Sequence, residues 1–344
     1  MANKWMNALQ IASVYIGTVV GAGFATGREI IEFFSKYGES GLIGIICSAF
    51  LFSWLGTKVM MIGKKTEASS YSQLNQYLFG RMASYFVNIL MFIMLFGITS
   101  VMISGAGAIF EEQLGFSKQL GIFFTMGLSF IVVLFGVKGL ASVNLFVVPI
   151  FVLFSLILFA GTMASGHLPG FSVQELLAPV KSSFLYVAFN LALAQAVLVP
   201  LANEIQDENS IKLGGWLGGI GLSLMLFFGY FSLLHFPRSE QFEIPMAELI
   251  KQLFAGIYYI YILVIFGEVI SSVIGNLYGL ERQLPTRKAK LRIMFVLLMI
   301  ISAYFISLIG YGRLIATLYP LFGYMSIVFL ILLMFKKVPD NKSS

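Results

Sequence analysis

The chain has 344 residues, 58% of them hydrophobic and only 11% charged, with a mean hydropathy of +0.90. A soluble domain carries about a quarter of its residues as Asp, Glu, Lys and Arg, so this composition excludes a surface bathed mainly in water. A net charge of +6 raises the possibility of nucleic acid, but the placement of the basic residues argues against it, and the single cysteine, Cys47, sits in an apolar run and excludes a disulfide framework or a cysteine zinc site.

Apolar runs of about 20 residues suffice to cross a bilayer as helices. Ten such segments are predicted: 6–36 (interrupted in the middle), 41–63, 83–110, 119–138, 140–165, 183–206, 212–236, 247–279, 290–310 and 313–335. The expected fold class is an all-α integral membrane protein, one transmembrane domain over 1–344. The first run is too long and too glycine-broken for a signal peptide. The two histidines, His167 and His235, show no metal-ligand spacing.

Placing the N-terminus in the cytoplasm puts Lys4, Lys64, Lys65, Arg81, Lys138, Lys212, Arg282, Arg287, Lys288, Lys290, Arg292, Lys336, Lys337 and Lys342 on that side. The opposite side receives Arg28, Lys36, Lys118, Lys181, Arg238, Lys251 and Arg313. This two-to-one bias predicts both termini inside and an even number of spans. The basic run at 287–292 then reads as a topological signal, and the partners expected are lipid and a small solute.

Segment 1 is the most informative. It reads Ile16-Gly17-Thr18-Val19-Val20-Gly21-Ala22-Gly23-Phe24-Ala25-Thr26-Gly27-Arg28-Glu29. Each glycine weakens a helix by about 0.5–1 kcal/mol relative to alanine. Two readings are open. Gly17–Gly21 and Gly23–Gly27 are G-x-x-x-G pairs that suit close helix crossings. Alternatively the helix opens at Gly21–Gly23, which a membrane tolerates only where backbone lines a cavity or is buried in protein. A dinucleotide-binding reading fails, since the glycine spacing is wrong and no strand precedes it.

Further along, 64–81, with Tyr71, Leu74, Leu78 and Phe79, predicts an amphipathic surface helix. Ser104-Gly105-Ala106-Gly107 in segment 3 marks a close crossing or a site-facing stretch. Segment 6 carries Asn190, Gln195 and Pro200 in an otherwise apolar run. Irregular segments in corresponding positions of two halves point to a transporter binding site. Ten spans divide into five plus five, which predicts inverted repeats over 6–165 and 183–335. The glycines at 214, 215, 218, 219 and 221 read as packing, and Pro320 with Gly323 as a kink. In segment 8, Glu268, Ser271 and Ser272 share one helix face; a carboxyl at this depth is costly without water, a partner or a cation. Its alternative role is a protonated structural hydrogen bond.

The run Gly17–Glu32 and the ten-span layout resemble the YkvI-like bacterial membrane proteins, which are similar to the amino acid–polyamine–organocation superfamily with its LeuT-type inverted-repeat fold. The resemblance implies a central substrate site between opened segments 1 and 6, with Val20, Gly21, Ala22, Gly23, Phe24 and Ala25 at the opening and Ser104 facing it if segment 3 lines the site as in the resembled fold; Asn190 and Gln195 are expected to face inward because they are costly in lipid. It also implies a sodium site from carbonyls of Gly17 and Val20 and hydroxyls of Ser271 and Ser272. Glu268, one turn away, would balance the sodium charge or carry a coupling proton itself. Read from the residues alone, Arg28 and Glu32 form an i,i+4 pair that is either a plain surface ion pair or part of an outer gate with Arg313. The chain departs from the pattern in two places: segment 6 has no glycine between Phe184 and Glu204, so its break would fall at Asn190 or Pro200, and segment 5 lacks the lysine of a known proton-coupled variant.

The expected function is a secondary transporter of an amino acid or related amine in the bacterial inner membrane, coupled to Na+ or H+ and with no other cofactor. A transporter-fold nutrient sensor is the alternative. An enzyme is not expected, because no nucleophile–base pair or metal cluster is present.

Overall fold

The computed structural model describes residues 2–135, 140–164, 176–282 and 288–339. Lys138, His167, Arg287 and Lys342 lie outside these described residues. Helix α1 (Ala2–Val19) is followed by two short helices, α2 (Ala22–Thr26) and α3 (Arg28–Phe33). After a 3-10 stretch, α4 (Gly41–Leu51) runs through a π turn at Phe52–Gly56 into α5 (Thr57–Lys65). Then come α6 (Tyr71–Phe79), α7 (Arg81–Ala108), α8 (Lys118–Phe135) and α9 (Leu140–Met163). The second half holds α10 (Leu177–Glu204), α11 (Glu208–Leu234), α12 (Pro245–Leu253), α13 (Tyr258–Arg282), α14 (Ala289–Ser307) and α15 (Tyr311–Phe335).

Among the described residues, seven helical stretches are long and apolar enough to cross a membrane. Their outward faces are apolar too. Phe305, Leu263 and Met82 are 65%, 70% and 87% exposed, and only 17% of the apolar window of α14 is buried. Such a surface is stable only against lipid.

Two predicted segments differ in the structure. The run 247–279 is not one span, because α12 ends at Phe254, whose backbone leaves the helical region (φ −145°, ψ 60°), and α13 begins at Tyr258. Segment 6 starts earlier than predicted and is continuous: α10 runs unbroken from Leu177 to Glu204 with Pro200 inside it. The expected break at Asn190 or Pro200 is absent, and the Asn190 amide donates to the Tyr186 carbonyl of the same helix at 3.0 Å.

The amphipathic helix predicted over 64–81 is α6. Ser70 caps it by accepting the Gln73 amide, and Leu74 and Leu78 are buried.

The glycines of α11 let three helices meet. β-carbons added at Gly214 and Gly218 would fall 2.6 Å from Ile11 and Tyr15 of α1, and one at Gly219 would fall 2.4 Å from the Ser53 backbone. Tyr15 fills the gap between α11 and Gly56, and its hydroxyl donates to the Phe52 carbonyl at 2.9 Å. Phe52 opens the π turn, where regular i→i−4 bonding is interrupted and a carbonyl is available to a side-chain donor. On the other flank, Gly323 lets α15 approach the Leu185 backbone of α10, with a β-carbon placed there 2.8 Å from Leu185 O.

This packing makes a graded prediction. Gly219→Ala forces a β-carbon into backbone and lowers stability by about 1–3 kcal/mol. Gly127→Ala on the open face of α8 meets nothing within 4 Å and raises stability by up to about 1 kcal/mol. Thermal unfolding of the purified variants in detergent ranks the two.

Candidate functional site

The chain leaves helical geometry at Val20 and Gly21. Val20 N–H closes the last bond of α1 to the Ile16 carbonyl at 2.7 Å, and Gly21 is extended at φ −96°, ψ −175°. The Gly21 amide turns to the Val19 carbonyl at 2.9 Å, so the Gly17 carbonyl loses the donor that a continuous helix would give it. Helix α2 resumes with Ala25 N–H on the Gly21 carbonyl at 3.0 Å and stops at Gly27, which is left-handed at φ +87°. Only glycine takes that conformation cheaply; any β-carbon there would also sit 2.7 Å from Met246.

A five-residue helix leaves most of its carbonyls without helical donors, and here side chains from α13, α15 and α2 itself bond to its carbonyls. Tyr261 of α13 donates to the Ala25 carbonyl at 2.7 Å. Tyr311 of α15 reaches the Ala22 carbonyl at 3.2 Å and lies 2.8 Å from Thr26 Oγ1, which donates to the Gly23 carbonyl at 3.1 Å. Helix α13 thus packs on α2, while α1 packs on α9, α10 and α11.

Of the residues read from sequence, Val20, Ala22, Gly23, Phe24 and Ala25 are buried at the break, with Gly21 partly exposed. Ser272 Oγ lies 3.9 Å from where a Gly21 β-carbon would stand, which brings α13 beside the opened backbone. Ser271 is buried one position earlier, and Glu268 is 4% exposed on the same helix. Gly17 is buried near the end of α1.

The remaining candidates are engaged elsewhere. The Ser104 hydroxyl donates to the Ser307 carbonyl at 2.8 Å. Gln195 is fully buried, donates to the Ala192 carbonyl at 2.9 Å, and lines an apolar cavity of about 250 Å³ between α7, α10 and α15.

The predicted Arg28–Glu32 pair does not form. Glu32 pairs with Lys36, one turn further along. Arg28 reaches across to the α11–α12 connection, donating to the Glu240 carbonyl at 3.0 Å with a second nitrogen 3.9 Å from Glu243 Oε2. Glu243 in turn accepts the Gly312 amide at 2.6 Å. Arg313 points into the exposed surface. The long-range partner was not legible, because an i,i+4 rule sees only the residue's own helix.

Sequence reasoning also missed Glu29, Tyr186, Tyr261, Tyr311 and Tyr319. Glu29 is 3% exposed, and its Cδ lies 3.4 Å from the Gly23 β-carbon position, with Tyr319 Oη 3.2 Å from that same point. The available signal was tyrosine within apolar spans, since a buried phenol normally finds a polar partner.

Tyr261→Phe leaves the Ala25 carbonyl buried without a donor, which costs about 1–3 kcal/mol. A lowered melting temperature for Tyr261→Phe, against no change for Tyr259→Phe at a 72% exposed position, checks this bond.

No family model matches this chain. It is 48% identical to the membrane protein YkvI of Bacillus subtilis (strain 168) over 343 residues, covering 98% of both chains. It is 26% identical to YyaD of the same organism over 335 residues, covering 96% of this chain and 97% of that one. Among solved structures it is similar to the Eremococcus coleocola manganese transporter, with TM-score 0.63 at 14% identity over 98% of this chain and 81% of that one. Mhp1, a nucleobase-cation-symport-1 family transporter, matches with TM-score 0.58 at 13% identity, covering 95% and 74%. A Na+-coupled sialic acid symporter matches with TM-score 0.54 at 12% identity, covering 97% and 87%. At these identities the structural likeness establishes a shared fold, and the similarity to YkvI, across almost the entire length of both chains, places the protein in the YkvI family of membrane proteins.

Proposed function

We propose that the protein is a secondary active transporter of a small organic solute, an amino acid or related amine, working by alternating access in the cell membrane with both termini cytoplasmic. The observation that carries this reading is the opened helix between α1 and α2, with α13 held against it through Tyr261 and Ser272. The three neighbours in fold named above are transporters. Helix contacts support ten spans in a five-plus-five inverted repeat. Counting α1 with α2 and α3 as span 1, spans 1 and 7 pack together, as do their counterparts 6 and 2, and spans 3 and 8 pack on each other. Spans 6 and 10 likewise match spans 1 and 5. Such exchanged pairs are what a pseudo-two-fold axis produces.

The coupling cation in this reading sits between spans 1 and 8. Gly17 and Val20 offer carbonyls, Ser271 and Ser272 hydroxyls, and Glu268 the balancing charge, an all-oxygen set suited to a hard cation. The manganese named for one neighbour is not carried over, since among the described residues no group of three or more His, Cys, Asp or Glu side chains comes together.

Uptake into proteoliposomes tests both parts. Sodium-driven uptake that falls by about tenfold in Ser271→Ala or Ser272→Ala, a loss of one ligand worth about 1.4 kcal/mol, supports the sodium version. Uptake driven by a pH gradient and lost in Glu268→Gln supports the proton version. Coupled uptake untouched by all three substitutions rejects the site, and solute binding without any uptake favours the sensor reading.

A further inference from the structure

Glu29 is a buried acid with no protein cation to neutralise it. It sits on α3 at 3% exposure. The neighbouring cations look elsewhere: Arg28 is committed to Glu240 and Glu243, and Lys36 to Glu32. Among the described residues no salt bridge involves Glu29. An uncompensated charge in so dry a place is unfavourable by several kcal/mol, so the ionised carboxylate calls for a cation from outside the chain.

The surroundings define what kind of cation. Four aromatic rings gather beside α3. Phe33 and Tyr186 have ring centroids 5.0 Å apart, Phe189 and Tyr319 are 4.9 Å apart, and Tyr186 and Phe189, 6.2 Å apart, link the two pairs. All four residues are at most 3% exposed. Aromatic faces attract ammonium groups, the more so when desolvated. Tyr186 adds an independent sign of an absent ligand, because its hydroxyl is fully buried and has no hydrogen-bond partner. Tyr186 and Tyr319 both lie within electrostatic reach of Glu29. The Glu29 carboxyl and the Tyr319 hydroxyl converge on Gly23, so the cluster packs directly against the helix break.

We propose that Glu29 and the Phe33–Tyr186–Phe189–Tyr319 cluster bind an ammonium group of the solute, so that the protein takes amines and amine-bearing zwitterions and rejects neutral and purely anionic solutes. This deepens the transport reading above and rests on it for the word solute. The carboxylate receives the N–H donors, the rings stabilise the charge from the side, and the Tyr186 hydroxyl meets the polar end of the ligand. A solute bearing only a carboxylate meets like charge.

The test uses the purified full-length protein in detergent. Ligand-induced thermal stabilisation is measured with methylammonium, putrescine, phenethylamine and alanine, and with 2-phenylethanol, phenylacetate and acetate as partners lacking the ammonium. Stabilisation is expected only within the first group, and Glu29→Gln weakens it by at least about tenfold. Tyr186→Phe removes a hydroxyl that has no partner, so the ligand-free melting temperature holds while affinity falls several-fold. That variant keeps the proposal testable if Glu29→Gln does not fold. The proposal is overturned if none of the ammonium probes stabilises the protein, if a probe without an ammonium does so, or if Glu29→Gln and Tyr186→Phe bind like the wild type. Proteoliposome uptake of the best probe separates the two claims. Binding that depends on Glu29 without uptake removes transport and keeps the site, whereas uptake of a solute lacking an ammonium removes the site and keeps transport.

Discussion

Opening a helix at membrane depth releases backbone groups that the hydrocarbon cannot hydrogen-bond, and the rest of this structure is arranged around that constraint. Gly21 and Gly27 end α1 and α2 six positions apart, and a helix as short as α2 leaves its last carbonyls without helical donors. Tyr261, Tyr311 and Thr26 answer them from three directions. The bonds that satisfy α2 are therefore the bonds that dock α13 and α15 against it. Satisfying the backbone and closing this side of the protein are one event, so a motion that separates α13 from α2 exposes a carbonyl at a cost of a few kcal/mol.

The two sides of the break are treated differently. On the α2 side, side-chain hydroxyls occupy the carbonyls. On the α1 side, the Gly17 carbonyl has lost its helical donor, and Ser272 of α13 stands beside Gly21. Helix α10 stays continuous, with the Asn190 and Gln195 amides donating to carbonyls of the same helix.

Glycine performs two distinct tasks in this chain. At Gly27 the backbone is left-handed, and the residue is chosen for conformation. In α11 the glycines are ordinary helical residues, chosen for what a side chain would strike: Tyr15, Ile11 and the Ser53 backbone. Helices in lipid gain little from mutual apolar burial and associate by close van der Waals fit. The α11 stripe is the adhesive of the bundle, and the Gly21–Gly27 run is its opening.

The sequence by itself determined the fold class, the positions of most helices and the interruption of the first one. Apolar runs of sufficient length and glycines clustered at depth are local properties that need no tertiary knowledge. Local pattern also identified the α11 glycines as packing residues. It failed where the answer depended on a partner far along the chain. The Arg28–Glu32 pair was a sound helical expectation, yet Arg28 found Glu243 more than two hundred residues away and Glu32 took Lys36. Segment 8 read as one apolar run, because hydropathy does not register the backbone turn at Phe254. Glu29 follows the glycine run with nothing local to mark it as buried, and only the packing of α10 and α15 on α3 buries it beside Tyr319. Which helices break is written in local composition; which polar groups meet at the break is decided by how distant helices cross, and a single sequence carries no signal of that geometry.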